Sequence, residues 1–482
     1  MNLTEKIAKL IDEKSNNYKD ISDKIWEFAE TRFDEFQSAD LLCEVLQQEE
    51  FQVERGVANL ETGFIGTYGT GKPVIAILGE YDALAGLSQV AGEATYQPII
   101  ANGNGHGCGH NLLGVGALAG AIAVKDYLVQ HKLSGTVKYY GCPAEESGYG
   151  KSFMAREGLF KDVDIAFSWH PGTVNTVMHA MSNAVIHAHF KFKGRSSHAA
   201  ASPHLGRSAL DAVELMNVGV NYLREHIIDG ARIHYAVTNT GGVAPNVVQA
   251  EAEVTYLIRA LKPDQVKSLY ERVVKCAKGA AMMTETTVDE QIVGSCHNLI
   301  PNKTLETIMD QHMNELGYPE VTDEDIRFAK DIFQTLSEEE KGAIALQVGN
   351  DFARKLAEKP IADFVIPLAK EPISIGGSTD VADVSWNVPT AQCTTSTWAV
   401  GTPFHTWQVV AQGKSNYAHQ AMLLAGKTIA STAITAIENP EVIEQAKNEL
   451  KERLNGEHYV ALIPEELMPP KLSVMKKDET YV

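Results

Sequence analysis

The sequence predicts an α/β fold in two parts, a domain in which strands and helices alternate and a smaller α/β unit inserted into it. Three observations lead there. Four apolar runs have the length and the β-branched or aromatic content of buried strands. An Ala-, Val- and Leu-rich stretch, Leu112 to Leu128, separates two of them and reads as a helix, so strand and helix alternate. From Ala184 the pattern becomes strict alternation, with Ile186, Ala188, Phe190 and Phe192 on one face and His187, His189, Lys191 and Lys193 on the other.

Each run ends in residues capable of chemistry. Val74 to Leu78 leads into Gly79-Glu80-Tyr81-Asp82, and Val137 to Cys142 into Pro143-Ala144-Glu145-Glu146. Val163 to Trp169 leads into His170-Pro171, and Ala391 to Val400 into Gly401-Thr402-Pro403-Phe404-His405. Open α/β sheets gather ligands at the carboxyl ends of their strands, which is where Glu145, Glu146, His170 and His405 fall. A histidine at a strand end is more often a hydrogen-bonded structural residue, but four coincident placements favour a site. Consecutive residues of an extended strand point to opposite sides, so a turn is needed to aim Glu145 and Glu146 at one place.

The inserted unit reads in order as a strand from Ala184, a loop over 194–202, a helix near Arg207 to His226 and a strand near Arg232 to Thr240. An alternating strand from Val248 to Ile258, a helix from Pro263 to Met282 and a strand near Thr286 to Val293 complete it. The order βαββαβ is ferredoxin-like. His187 and His189 are expected at the surface. The segment 318–373 has helical spacing rich in Glu, Lys and Ala and reads as a helical elaboration or a solvated connector; a charged helix and a proline-containing end follow Glu438.

The run His106-Gly-Cys-Gly-His110 carries the metal chemistry. Thiolate and imidazole suit borderline ions such as Zn²⁺, and carboxylates also accept harder ions such as Mn²⁺. Cys108 and His110 share one face of an extended segment, and the flanking glycines open backbone conformations closed to other residues. Taken alone, the run reads equally as a glycine-rich turn with one buried cysteine.

The ordered motifs GEYDAL (79–84), NGHGCGHNLLG (104–114), GCPAEE (141–146), WHP (169–171), SPHLGRSALDAV (202–213), NVVQAEAEV (246–254) and GTPFHTW (401–407) span essentially the whole chain. Together they resemble the M20 family of metallopeptidases and amidohydrolases, in the branch that uses CGH in place of HxD. The resemblance implies a metallopeptidase-type catalytic domain, a mixed sheet flanked by helices, divided into 1–184 and 298–482 by a lid and dimerisation domain at 185–297. It implies two divalent metal ions per chain, Mn²⁺ or Zn²⁺, on Cys108, His110, Glu146, His170 and His405, with Glu145 as general base. His198 in GRSSHAA would polarise the scissile carbonyl, often from the other subunit, and Asn246 and Arg259 would bind substrate, Arg259 by a bidentate grip on a carboxylate. The branch often has aspartate after CGH where this chain has Asn111, which puts a carboxylate role there in doubt. Asp82 reads as a supporting residue or a turn residue, and His106 as structural. The implied activity is hydrolysis of the amide of an N-acyl or N-aroyl amino acid, with p-aminobenzoyl-glutamate as the substrate it points to and other conjugates or dipeptides as alternatives. The implied assembly is a homodimer through the lid, or a heteromer with a homologous A subunit.

Composition bounds these readings. A chain of 482 residues accommodates two or three domains, and 44% hydrophobic content supports substantial cores. A formal charge of −20 without a basic patch excludes nucleic acid and anionic membrane as partners. Six cysteines without framework spacing fit reduced thiols in a cytoplasmic protein, and the charged start MNLTEKIAKLIDEK does not read as a signal peptide. No uninterrupted apolar stretch approaches the ~18 residues of a membrane span; Ala421 to Ile437, the longest candidate, contains Lys427 and reads as a core helix. Two other functions compete with the metallohydrolase: a thiol amidase with Cys108 as nucleophile, and a non-catalytic partner subunit.

Overall fold

The computed structural model describes residues 1–318 and 320–472. Its strands, numbered in chain order, are β1 (Gln52–Arg55), β2 (Phe64–Thr70), β3 (Val74–Glu80), β4 (Gly135–Cys142), β5 (Ile165–Gly172), β6 (Thr176–Val177) and β7 (Ala180–Met181). They continue as β8 (Ala184–Lys193), β9 (Arg232–Asn239), β10 (Glu251–Ala260), β11 (Thr287–Cys296), β12 (Ile373–Ser374) and β13 (Thr390–Ser396). Seven form one sheet in the order β1-β2-β4-β3-β5-β13-β6. Its centre is parallel, β4 to β3 to β5 to β13, and its margins are antiparallel, giving the mixed α/β sheet expected from the sequence.

The four apolar runs are the four central strands, because parallel strands covered on both faces must be apolar throughout. Ile75 and Ile77 of β3 and Val137 of β4 pack in one core with Leu112, Val115, Leu118 and Ile122 of the helix His110–His131, and with Met422 and Ile429 of the helix Asn416–Glu438. Each such side chain contributes about 1.5–3 kcal/mol relative to exposure. His110–His131 is also, among the described residues, the one helix long and apolar enough to cross a membrane, and 89% of its most apolar window is buried inside the fold. All six cysteines are free thiols.

The last apolar run departs from expectation at its end. Strand β13 stops at Ser396, and the N–H groups of Thr397 and Trp398 both donate to the Gly172 carbonyl, at 2.9 and 3.1 Å, which folds the chain over the end of β5. Within 318–373 the helices Asp323–Gln334, Glu338–Val348 and Asn350–Leu356 form. Pro360, Pro367 and Pro372 then prevent helix, and the chain runs irregularly to the short pairing of β12 with β7.

The second sheet has the order β11-β8-β10-β9 and is antiparallel throughout. With the helices Ala209–Leu223 and Pro263–Thr284 its elements follow the order βαββαβ. Ile186, Ala188, Phe190 and Phe192 of β8 pack with Val213, Met216, Val266 and Val273 of the two helices. The opposite face of the sheet carries His187, His189 and Arg259.

Candidate active site

The carboxyl ends of β3, β4 and β5 and the 401–407 turn converge on one place. Gly109, at φ +73°, turns the chain into the helix that starts at His110, and a Cβ there would lie 2.8 Å from the Trp398 ring. A Cβ on Gly114 would lie 2.6 Å from the Glu80 carbonyl oxygen. These two glycines let the helix start lie directly against the end of β3, bringing His110 beside Glu80 and Asp82. After β4 the backbone takes left-handed conformations at Ala144, Ser147 and Tyr149, the turn that two adjacent inward-facing glutamates require. His405, at φ +60°, is fixed by its N–H donating to the Gly107 carbonyl at 2.9 Å.

Three groups of donor atoms result, each lying within 4.8 Å of one another. Cys108, His110 and His170 form the first, Cys108, Glu146 and His405 the second, and Glu80, His110 and Glu145 the third. Cys108 is common to the first two. Its sulfur lies 3.5 Å from His170 Nε2, and His405 Nε2 lies 3.1 Å from Glu146 Oε1. His110 Nε2 and Glu80 Oε2 are 3.3 Å apart and buried, with no hydrogen bond beyond that contact, and Glu146 Oε1 has only its contact with His405. Buried imidazole and carboxylate atoms left without a formed hydrogen bond are costly, and a divalent cation is the partner this donor set fits. The structure thus brings together Cys108, His110, Glu145, Glu146, His170 and His405.

The surroundings fix these side chains. Asp82 accepts from His110 Nδ1 and from the Glu146 N–H, both at 2.8 Å, so it orients one donor and pins the turn holding another. His170 Nδ1 donates to the Pro171 carbonyl at 2.7 Å, which directs Nε2 into the site. Burial, followed by Glu80, Glu146 and Asp380, raises the Glu145 pKa well above the carboxylate range. Burial and Glu146 likewise raise the Cys108 thiol pKa well above its ordinary value. Burial opposes a charge on His110, but Cys108 and Asp82 outweigh it and raise the pKa.

Three buried charged residues that the sequence did not single out complete the wall. Lys151 Nζ lies 2.7 Å from Glu80 and 2.6 Å from Asp380, and all three side chains are almost wholly buried. Glu35 accepts from the Ala144 N–H and the Thr62 hydroxyl, both at 2.8 Å, and burial with the nearby Asp82 pushes its pKa up to about 8. The signal for Lys151 is its place in GYGKSFM directly after the Glu145-Glu146 turn; nothing in the sequence shows its partners.

The residues expected from the inserted unit divide. Arg259 donates to the Ser378 hydroxyl at 2.6 Å, and Ser378 donates to the Asn183 carbonyl at 2.7 Å, so it is tied to the 375–380 loop that carries Asp380. His198 and Asn246 are exposed; the Ala199 N–H donates to the Asn246 carbonyl at 3.0 Å, and His198 Nδ1 accepts from Ala200 and Ala201. They adjoin one another.

The model of the peptidase family M20/M25/M40 matches residues 76–465. The chain is 48% identical over 469 residues to the B subunit of p-aminobenzoyl-glutamate hydrolase of Escherichia coli strain K12, covering 96% of this chain and 98% of that one. Among solved structures, an aminobenzoyl-glutamate utilization protein from Klebsiella pneumoniae superposes with a TM-score of 0.55 at 17% identity, covering 86% of this chain and 97% of the other. A dinuclear metal-binding M20 peptidase from Bacillus subtilis gives 0.52 at 17% identity, covering 89% and 99%.

Proposed function

Because the chain belongs to peptidase family M20/M25/M40 and is a metallohydrolase acting on amides, we propose that it hydrolyses N-acyl and N-aroyl amino acids, p-aminobenzoyl-glutamate foremost. The reading is carried by the grouping of Cys108, His110, Glu146, His170 and His405 around buried donor atoms left without a formed hydrogen bond, with Glu145 alongside. These five residues would hold two divalent cations, Mn²⁺ or Zn²⁺. Bound there, the cations would lower the pKa of water towards about 7 and polarise the amide carbonyl.

Glu145 takes the proton of the attacking water and delivers it to the leaving nitrogen as the amide C–N bond breaks, yielding a carboxylate and a free amine. Arg259 grips the carboxylate of the amino-acid half. His198 and Asn246, both exposed, would serve the site of a second subunit. Leu215, Val218 and Tyr222 form an exposed stripe at helical spacing on Ala209–Leu223, and edge strand β9 exposes Tyr235 and Val237. Those surfaces support a homodimer through the 185–297 unit. The Escherichia coli relative, itself one subunit of a hydrolase, supports the alternative of a heteromer with a homologous A subunit.

The test is a panel of N-acyl and N-aroyl amino acids offered to the purified chain alone. Turnover should vanish on chelation and return with Mn²⁺ or Zn²⁺. Activity that survives chelation but not thiol alkylation would transfer the chemistry to Cys108 as nucleophile. Turnover that requires an added A subunit would replace the homodimer with the heteromer. His198→Ala should lower kcat by about 10- to 100-fold, as the loss of one charge-assisted hydrogen bond in the transition state would, with bound metal unchanged. Metal loss in that variant would instead make His198 a ligand.

A further inference from the structure

The opposite face of the second sheet carries an unbalanced cationic pair. In the register of β9 and β10, Arg259 stands directly opposite Arg232, and Leu257 opposite His234. Ile233 and Ile258 lie in the core beneath the two helices, so Arg232, His234 and Arg259 project from the other face. Like charges directly opposed across an antiparallel pair destabilise it. The chain has 62 acidic residues against 42 basic ones, yet neither guanidinium makes an ion pair among the described residues. Arg259 donates to Ser378 at 2.6 Å, and Arg232 to the carbonyl of Ala231 at 2.7 Å. Burial and the positive field of Arg259, Arg224 and Arg232 lower the His234 pKa.

Arg259 of this pair is tied to the candidate catalytic wall. Ser378, which holds Arg259, lies two residues before Asp380, and Lys151 joins Asp380 to Glu80 beside His110. Directly opposed residues of an antiparallel pair have Cα atoms about 4.5–5.5 Å apart. The two carboxyl carbons of an extended glutamate are about 5 Å apart, from four C–C bonds of about 1.5 Å. Two guanidinium groups carried on residues opposed at that spacing suit the two carboxylates of such a substrate.

We propose that Arg232 determines specificity: with Arg259 it forms a subsite for dicarboxylic amino acids, Arg259 taking one carboxylate of the leaving amino acid and Arg232 the other. The inference rests on the N-acyl amino-acid hydrolysis proposed above and narrows its amino-acid half to an acidic residue. Arg232 acts on substrate charge and takes no part in proton transfer.

Compare kcat/KM for N-benzoyl-glutamate and N-benzoyl-glutamine in the full metal-loaded chain. The wild type should prefer glutamate; Arg232→Met should shrink that preference by about 10- to 100-fold, with the loss on glutamate read in KM, and Arg232→Lys should restore part of it. An undiminished preference in Arg232→Met, or equal wild-type use of both substrates, overturns the subsite while leaving the amidohydrolase reading intact. Calorimetry with glutarate and butyrate decides the subsite independently of turnover. Glutarate should bind more tightly than butyrate and lose that advantage in Arg232→Met, whereas equal binding of the two by wild type refutes it. Failure of wild type to hydrolyse any N-acyl or N-aroyl amino acid falls on the activity, and glutarate binding still decides the subsite.

Discussion

Glu145→Gln is expected to retain its full complement of metal while kcat falls by about 10²- to 10⁴-fold, the usual contribution of a positioned general base, or roughly 3–5 kcal/mol of barrier. The substitution is nearly isosteric and leaves the turn built by Ala144, Ser147 and Tyr149 in place, but an amide cannot carry the proton from water to the leaving nitrogen. Glutamine is also neutral where burial and the nearby Glu80, Glu146 and Asp380 disfavour a further charge, so folding should not suffer. Metal analysis and steady-state kinetics on p-aminobenzoyl-glutamate measure the two quantities separately. Wild-type-like turnover would end the assignment of Glu145 as base. Lost metal would instead make Glu145 a ligand, a role its grouping with Glu80 and His110 makes worth measuring.

The proposed ligands were legible because of where they stand. A buried parallel strand must be apolar along its length, so the first polar residues after it mark the rim of the sheet; Glu145 and Glu146 follow that rule after β4, while His170 lies within β5, two residues before its end. His405 was legible for the same reason, although its strand ends earlier than the apolar run, at Ser396. His106 is structural, with Nε2 bonded to the Ile25 carbonyl at 2.9 Å. The doubt over Asn111 resolves away from the donors. Its amide donates to the Ser22 hydroxyl and the Gly413 carbonyl, at 3.1 and 3.2 Å, joining the core helix to distant segments. His187 and His189 are half-buried rather than fully at the surface, because β8 lies between β11 and β10 and meets Thr255 and Glu253 there.

Periodicity does not reveal a charge whose partners come from elsewhere in the chain. Lys151 and Asp380 are 229 residues apart and meet only once β4, the helix Gly150–Arg156 and the 375–380 loop are assembled. Glu35 escapes for the same reason, since its link to the Ala144 N–H spans 109 residues. A lysine or glutamate in a sequence window reads as a surface residue because most are.

That hidden network gives the largest expected effect on stability. Lys151→Met should destabilise the fold by about 3–5 kcal/mol, the cost of stripping a buried ion group of one partner. Lys151 has no exposed side-chain surface, and both its carboxylate partners are buried, so water cannot take over its role. Methionine approximates the lysine stem, which makes the lost charge the main change. Burial opposes a charge on Lys151, but Asp380 and Glu80 outweigh it and raise its pKa, and without that cation Glu80 and Asp380 are left facing Glu145 uncompensated. Adding Asp380→Asn should recover part of the loss, because the amide still accepts from the Lys151 backbone N–H, now at 2.8 Å from Oδ2, without the stranded charge. Denaturation of wild type, both single variants and the double variant closes the cycle. A non-additive term of about 0.5–3 kcal/mol is expected for residues in one network. Strict additivity would mean that Lys151 supports the wall by packing, and that its closeness to the two carboxylates contributes little to holding the candidate active site together.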